Sequence, residues 1–348
     1  MKKVLIANRG EIAIRIARTC NDLGIKTVGI YSEDDANSLH LSKVDEAYQI
    51  NERGSQAYLN IKEIIKIAKK SKAEAIHPGY GFLSENSSFA SSVKRANLKF
   101  IGPNERTLKI FGDKTSAKEL ASSLDVPVIQ GTSKKTSIRQ AQNFMKSLKK
   151  NSSVVIKAIS GGGGRGMRVV SKAQDLKDSF ERAASEAKAS FNSSDLYLEE
   201  YLKNYRHVEF QIIGDGTGAV SHLHERECSI QRRYQKLIEI APSPSLNLEL
   251  KQRMIDDSLA LTKKLKYEGL ATIEFLVNVE KNDYRFIECN PRLQVEHTVT
   301  ESVLSLDIVK AQLQIASGKT LKQIKLEQKN VPEPKGYAIQ SRVNMETV

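Results

Sequence analysis

The chain has 348 residues, enough for two or three packed domains, and its 40% hydrophobic and 27% charged residues are typical of a globular protein. Its net charge of +13 is spread over short basic pairs, with no nucleic-acid-binding motif, so we expect no nucleic-acid partner. No apolar run is long enough to span a bilayer, so we expect no membrane association, and three widely separated cysteines favour reduced thiols in the cytoplasm.

The first part of the chain alternates between predicted strands and helices. Residues 4–7 form a short apolar run typical of a buried strand, and apolar residues then recur at helical spacing over residues 12–20. Residues 27–31 are predicted as the next strand, and a further helix is expected at about 60–70. Such alternation is typical of a parallel sheet with helices on its faces, so residues 1–112 are expected to form an α/β domain.

After residue 112 the pattern changes to strands surrounded by helices, which indicates a second, α+β domain over residues 113–320. Its predicted strands lie at residues 153–159, 167–170, 196–199, 271–277 and 284–289. The last two are separated by a turn-type sequence at 280–283, which predicts an antiparallel hairpin.

The last part of the chain is predicted to be a linker followed by an unfinished domain. Residues 321–335 are polar and contain two prolines, which is typical of a linker. A strand is predicted at 337–343, so we expect residues 321–348 to be a linker and the incomplete start of a C-terminal domain.

A glycine-rich segment, residues 160–166, lies between two of the predicted strands. A dinucleotide-binding fingerprint would require a helix after these glycines, and a Walker loop would end in Gly-Lys-Ser or Gly-Lys-Thr. A glycine loop between two strands is instead typical of a lid whose backbone N–H groups close over phosphates. A flexible hairpin without function is the alternative.

Two acids are expected to face each other in the predicted hairpin. With the turn centred near Lys281, Glu274 and Glu288 lie opposite each other on antiparallel strands. Buried carboxylates at this distance repel unless a cation lies between them, and Asn290 follows on the same face. Oxygen ligands of this kind predict Mg²⁺ or Mn²⁺, whereas a solvent-facing glutamate in an ordinary strand is the alternative.

The residues that follow continue this polar pattern. In an extended chain, side chains alternate with period two, so one face would carry Glu288, Asn290, Arg292, Gln294 and Glu296. On such a face an arginine could clamp a planar anion and an adjacent glutamate could act as a base. A salt-bridged surface strand is the alternative.

Five segments, in chain order, carry a resemblance to a known family. They are Ile6-Ala-Asn-Arg-Gly-Glu-Ile12, His77-Pro-Gly-Tyr-Gly-Phe-Leu-Ser-Glu85-Asn86, Gly164-Arg165-Gly-Met-Arg168, Ser229-Ile-Gln231-Arg-Arg and Glu288-Cys-Asn-Pro-Arg-Leu-Gln-Val-Glu-His297. Together they resemble the biotin carboxylase family of the ATP-grasp superfamily over essentially the whole chain. The resemblance implies a Rossmann-like pre-ATP-grasp domain, an ATP-grasp domain with a mobile glycine-rich lid at about 130–200, and the start of the family's C-terminal domain.

The resemblance also implies a reaction and a set of site residues. Bicarbonate would attack the γ-phosphate of ATP to give carboxyphosphate, and biotin on a carrier would then be carboxylated. The implied ATP-binding residues are Lys114, Lys157, Gly162, Gly163, Gly164, Glu199, Glu200, Leu202, His207, Gln231 and Tyr234. Metal ions would be bound by Glu274, Glu288 and Asn290, and bicarbonate by Lys236, Arg292, Gln294 and Val295. Glu296 would be the base, and Arg342 would stabilise the biotin enolate.

One position departs from the family pattern, and the function has alternatives. Tyr234 stands where the family commonly has histidine, which predicts altered ATP affinity rather than lost activity. A carbamoyl-phosphate synthetase-like ligase is the nearest alternative enzyme, and an inactive nucleotide-binding fragment is another. The expected partners are a biotin carrier domain and a carboxyltransferase, as separate chains or a downstream segment, with a homodimer if the chain is full length.

Overall fold

The structure is a computed structural model that describes residues 1–132, 135–159 and 167–343. Its strands form a five-stranded, a three-stranded and a six-stranded sheet. No helix in these ranges is long and apolar enough to cross a membrane.

The N-terminal sheet is parallel, as the alternating pattern predicts. Its strands are β1 (Lys3–Ile6), β2 (Lys26–Tyr31), β3 (Glu46–Gln49), β4 (Ala75–His77) and β5 (Lys99–Phe100), in the order β3-β2-β1-β4-β5. Helices α1 (Gly10–Asp22), α2 (Ile61–Lys70) and α3 (Ser87–Arg95) connect them. Val4 and Ile6 belong to one core cluster and Leu5 to another, because successive side chains of β1 point to opposite, helix-covered faces.

Two short helices, α4 (Glu105–Gly112) and α5 (Lys114–Ser122), follow the first sheet, and Asp113 caps α5 by accepting the N–H of Ser116. The three-stranded antiparallel sheet comes next. It consists of β6 (Ser153–Ala158), β7 (Met167–Val170) and β8 (Leu196–Tyr201), in the order β7-β6-β8, with α6 (Ile138–Ser147) and α7 (Leu176–Phe191) packed against it. The glycine-rich segment connects β6 to β7, and its residues 160–166 lie outside the described residues.

The six-stranded sheet is antiparallel and forms the centre of the molecule. Its strands are β9 (Arg206–Asp215), β10 (Val220–Arg232), β11 (Gln235–Ala241), β12 (Glu268–Asn278), β13 (Asp283–Asn290) and β14 (Ala338–Ser341), in the order β13-β12-β9-β10-β11-β14. Helix α8 (Leu248–Lys264) packs against it, and α9 (His297–Leu304) and α10 (Ile308–Ala316) follow β13. The predicted hairpin of β12 and β13 is confirmed. Strands β9, β10 and β11 were not predicted from the sequence.

The C-terminal segment differs from the expected linker. Leu321, Leu326 and Val331 are buried in a core cluster with α10 and the N-terminal sheet. This segment is therefore packed against the rest of the fold despite its polar composition. The strand predicted at 337–343 is shorter, because β14 pairs with β11 only from Ala338 to Ser341.

Candidate active site

Charged side chains lie inside the large sheet, where apolar residues would ordinarily be expected. Glu209 on β9, Arg226 on β10 and Glu296 before α9 have no exposed surface, and Glu274 on β12 is 4% exposed. Buried charges are tolerated only when they are paired and hydrogen-bonded. Hydrogen bonds through Lys236 on β11 connect these side chains into one polar network, to which β9, β10, β11 and β12 contribute.

The two acids of the hairpin lie opposite each other, as the predicted register requires. Glu274 pairs directly with Glu288 across β12 and β13. Glu274 accepts hydrogen bonds from Lys236 Nζ at 2.9 Å and Asn290 Nδ2 at 2.8 Å, and its other oxygen lies 2.7 Å from His207 Nε2. Burial opposes ionisation, but Lys236 and His207 hold the pKa of Glu274 below its usual value.

The donor set at this pair fits a divalent cation. Partial burial, which leaves 35% of the side chain exposed, and the neighbouring Glu274 carboxylate raise the pKa of Glu288. Carboxylates and the amide of Asn290 provide oxygen ligands of the kind that Mg²⁺ and Mn²⁺ prefer, and His207 Nε2 lies beside one oxygen of Glu274. The role of Glu274, Glu288 and Asn290 as metal ligands stays a prediction.

Lys236 joins three acids at the centre of the network. Its ammonium donates to Glu209 at 2.5 Å, to Glu296 at 2.8 Å and to Glu274 at 2.9 Å. Burial alone would lower the pKa of Lys236, but the surrounding carboxylates raise it well above its usual value. Lys236 is therefore a fixed cation beside Glu296.

Arg342 approaches Glu296 from the other side. It lies just beyond β14, where its N–H donates to the carbonyl of Leu237, and its Nη2 donates to Glu296 Oε2 at 2.9 Å. Its Nε donates at 2.6 Å to Glu239, a buried acid on β11 that sequence analysis missed. The structure thus brings together Lys236, Glu296 and Arg342, three of the predicted site residues.

The prediction of an extended chain after Asn290 is wrong. β13 ends at Asn290, and the N–H of Arg292 bonds back to the carbonyl of Asn290, so the period of two is lost. The side chains nevertheless converge, because Arg292 Nη1 donates to Gln294 Oε1 at 3.0 Å and Nη2 to Asn290 Oδ1 at 3.1 Å. Arg292 Nε donates at 2.5 Å to Glu85, a second acid for which no role was predicted.

Val295 lies in a different environment from its neighbours. It lines a cavity of about 370 Å³ together with Tyr80, His297 and Gln340. Val295 directly precedes Glu296 in the chain, and the cavity lies between the N-terminal domain and the large sheet. Val295 therefore borders open space next to the buried network.

The predicted phosphate-binding lysines lie beside acids. Lys157 Nζ donates to Glu199 at 2.5 Å, and Lys118, which sequence analysis missed, contacts the other oxygen of the same carboxylate. Burial works against ionisation of Glu199, but Lys157 and Lys118 lower its pKa to about 2. The side chain of Glu199 is thus engaged by two lysines, and its predicted contact with adenine stays a prediction. Lys114 Nζ lies 3.9 Å from Glu288.

Of the remaining predicted nucleotide-binding residues, two belong to the polar network. His207 lies between Glu274 and Gln231, whose amide nitrogen is 2.8 Å from His207 Nδ1, so both residues belong to the network. Glu200 ends near Ser152, and Leu202 directly follows β8. Tyr234 is 43% exposed in the turn between β10 and β11. Gly162, Gly163 and Gly164 lie outside the described residues.

Arg226 and Glu209 lie fully buried at the bottom of the site, and neither was predicted from the sequence. Arg226 donates to Glu209 at 2.5 Å, to Gln211 at 2.8 Å and to Thr300 at 2.9 Å. The polar residues at 209 and 211, two positions apart in an otherwise apolar run, are the sequence signal that could have revealed them.

Two family models match the chain. The biotin carboxylase N-terminal domain matches residues 1–108, and the ATP-binding domain of the carbamoyl-phosphate synthase L chain matches residues 113–324. Pyruvate carboxylase from Bacillus subtilis is 48% identical over 99% of this chain, and mitochondrial pyruvate carboxylase from Homo sapiens is 47% identical over 99%. The chain spans 30% and 29% of the length of these two relatives.

Solved structures resemble the whole described fold. The biotin carboxylase domain of Hydrogenobacter thermophilus 2-oxoglutarate carboxylase, a dimer in complex with MgADP, ADP and bicarbonate, has a TM-score of 0.92 and 42% identity, over 98% of this chain and 74% of that one. Biotin carboxylase from Campylobacter jejuni, in complex with an ATP ligand, has a TM-score of 0.92 and 41% identity, over 98% of this chain and 75% of that one. The chain therefore belongs to the biotin carboxylase family.

Proposed function

We propose that the chain uses ATP and bicarbonate to carboxylate biotin on a carrier protein, the first half-reaction of a biotin-dependent carboxylase. One observation carries this proposal: Glu274, which pairs with Glu288 across the hairpin, accepts a hydrogen bond from Lys236, and Lys236 in turn donates to Glu296. A cation site for nucleotide phosphates and a buried base thus share one lysine. Relatives that bind MgADP and bicarbonate support this proposal.

Bicarbonate would be activated at Glu296. Arg292 offers its guanidinium to the planar anion, with Gln294 and the segment at Val295 beside it. Glu296 takes the bicarbonate proton, and Lys236 provides positive charge beside the acid. The freed oxygen attacks the γ-phosphorus, the bond to the β-phosphate oxygen breaks, and ADP and carboxyphosphate result.

The phosphates of ATP require charge compensation during this step. Lys114 and Lys157 are the proposed phosphate-binding cations. Glu274, Glu288 and Asn290 would bind the divalent ion, which when bound supplies further positive charge to the phosphates. In this proposal the lysines exchange their contacts with acids for contacts with the nucleotide.

Biotin would be carboxylated next to Glu296. Carboxyphosphate splits into CO₂ and phosphate, and the phosphate takes the proton from the ureido nitrogen. Arg342 stabilises the enolate oxygen that forms, and the nitrogen then bonds to the carbon of CO₂. The product is carboxybiotin, with phosphate and ADP released.

The partners follow from the same proposal. A biotin carrier domain and a carboxyltransferase, on separate chains or a further segment, would complete the carboxylase, and a homodimer is proposed by analogy with the Hydrogenobacter domain. Cys20, Cys228 and Cys289 are unpaired and buried, which supports the proposed cytoplasmic location.

The test is stimulation of ATP cleavage by free biotin. We expect ATP cleavage that requires both Mg²⁺ and bicarbonate and that rises when biotin is added, with carboxybiotin detected by mass spectrometry. Desthiobiotin, which has the ureido ring but lacks the tetrahydrothiophene ring, serves as the comparison ligand. Bicarbonate-dependent cleavage that biotin does not stimulate would contradict the biotin half of the proposal.

A carbamoyl-phosphate synthetase-like activity is the second candidate, because the family model over residues 113–324 is named for that enzyme. Both reactions pass through carboxyphosphate, so ATP cleavage alone does not separate them. Ammonia in place of biotin should separate them. Carbamoyl phosphate formed with ammonia, and no response to biotin, would favour this alternative.

A further inference from the structure

Two acids without a role in the proposed mechanism each hold an arginine of the site. Glu85 Oε1 accepts Arg292 Nε at 2.5 Å, and Glu239 Oε1 accepts Arg342 Nε at 2.6 Å. In both pairs the acid binds the guanidinium nitrogen nearest the backbone. The terminal Nη groups are therefore directed towards the centre of the site.

The Nη groups contact residues proposed to meet the substrates. Arg292 reaches Gln294 and Asn290 through its two Nη atoms, and Arg342 reaches Glu296 through Nη2. A guanidinium is planar, so a contact at Nε together with one at Nη fixes the plane of the whole group. Each acid thus sets the orientation in which its arginine faces a substrate.

Glu85 reaches Arg292 from the N-terminal domain. It lies in the segment after β4, which Asn8 holds by donating to the carbonyls of Pro78 and Tyr80, both at 2.8 Å. These two hydrogen bonds connect two of the sequence motifs. Asn8 belongs to residues 6–12 and holds the segment at residues 77–86, which carries Glu85. The Glu85 side chain is 39% exposed, so we expect a moderate effect from this ion pair.

Glu239 holds Arg342 within the large sheet. Its side chain has no exposed surface, and its Oε2 has no hydrogen-bond partner among the described residues. A buried carboxylate of this kind is costly without its arginine, so the pair forms only when β14 places Arg342 against β11. The orientation of Arg342 therefore depends on Glu239.

We propose that Glu85 and Glu239 are positioning residues that act on separate halves of the reaction. Glu85 orients Arg292 for bicarbonate, and Glu239 orients Arg342 for biotin. This inference rests on the proposed function, since the two arginines must serve these substrates. If the unaltered protein lacks biotin-stimulated, bicarbonate-dependent ATP cleavage, the proposed function fails, and this inference fails with it.

The experiment is steady-state kinetics on two amide variants of the full chain. Glu85→Gln should raise KM for bicarbonate about fivefold and leave KM for ATP within about twofold, because only the bicarbonate arginine loses its partner. Glu239→Gln should lower the biotin-stimulated rate about tenfold and leave the biotin-independent, bicarbonate-dependent rate within about twofold. Equal changes in both halves for either variant would overturn the proposal.

Matched controls come from ion pairs outside the site. Glu268→Gln removes a second pair between the N-terminal and large sheets, since Glu268 accepts Lys99 Nζ at 2.6 Å. Glu301→Gln removes a largely buried glutamate that accepts Arg15 Nη2 at 2.7 Å. Both controls should change thermal stability without separating the two halves of the reaction.

Double-mutant cycles distinguish positioning from a general structural effect. Glu85→Gln should have little further effect in an Arg292→Lys protein, and Glu239→Gln little further effect in an Arg342→Lys protein, because each acid acts through its arginine. Effects that add fully in these backgrounds would overturn the proposal. If Glu239→Gln does not fold, Glu239→Asp is compared with Glu301→Asp, and the same loss of biotin stimulation is required.

Discussion

The N-terminal sheet and the large sheet bury different kinds of side chain. In β1, Val4, Leu5 and Ile6 have no exposed surface and pack among apolar neighbours. In the large sheet, Glu209 and Arg226 are equally buried but lie within a hydrogen-bonded network. Burial of apolar area stabilises a fold, whereas burial of charge costs free energy that ion pairs and hydrogen bonds must offset. β1 buries apolar side chains alone, whereas the large sheet combines an apolar face packed against α8 with a buried polar network.

The largest effect that tests this comparison is expected at Glu296. Glu296→Gln keeps the shape of the side chain but removes the base, so the bicarbonate-dependent rate of ATP cleavage should fall by about 10²- to 10⁴-fold. The far-ultraviolet circular dichroism spectrum should stay unchanged. A variant that retains more than half of the original rate would show that Glu296 is not the base.

A side-chain truncation in the N-terminal sheet should lower stability and have little effect on the rate of ATP cleavage. Leu5→Ala removes a fully buried side chain and should lower the free energy of unfolding by about 2–5 kcal/mol, measured by urea denaturation. The rate per folded molecule should change little, because Leu5 packs away from the network. Lys62→Ala, at an exposed position of α2, is the control. A large loss of rate in folded Leu5→Ala protein would break the division between the sheets.

A smaller effect is expected from His222 on the way that stability depends on pH. Burial, with His224 and Lys251 nearby, lowers the pKa of His222 to about 4, so the native side chain stays neutral between pH 6.5 and 4. The unfolded chain binds a proton in this window, so stability should fall as pH falls. His222→Asn should make this loss of stability between pH 7 and pH 5 smaller, as measured by the urea midpoint. An unchanged pH dependence would contradict this assignment.

The smallest effect is expected at Tyr234, which is 43% exposed in the turn between β10 and β11. Tyr234→His introduces the residue common in the family and a group that gains charge near pH 6.5. We expect KM for ATP to change by about threefold or less, with a new dependence on pH between 6 and 7. Loss of activity in this variant would contradict a peripheral role for Tyr234.

The two sheets also differ in how well the sequence predicts them. The N-terminal sheet follows from short apolar runs alternating with helices, because both faces of a parallel sheet are buried. Strands β9 to β11 were missed, since Glu209, Gln211 and Arg226 interrupt the apolar pattern with polar residues that point inward. Their burial depends on partners from other strands, which no local pattern reveals.

The same reason separates the predicted from the missed site residues. The opposed acids Glu274 and Glu288 follow from hairpin register, which is local in sequence. Glu85 and Glu239 meet their arginines across 207 and 103 residues of chain, so only the folded structure brings them together. The turn after Asn290 was missed because period-two alternation assumes an extended backbone.

The most direct test of the proposed metal and nucleotide site is replacement of both hairpin acids, Glu274→Gln together with Glu288→Gln. The double variant should fold, but its Mg²⁺-dependent ATP cleavage should fall by at least about 10²-fold, because the oxygen ligands lose the charge that binds the ion. Titration of Mn²⁺ in the presence of an ATP analogue should show weaker binding in parallel. Unchanged metal-dependent cleavage would contradict the assignment of this hairpin as the metal and nucleotide site.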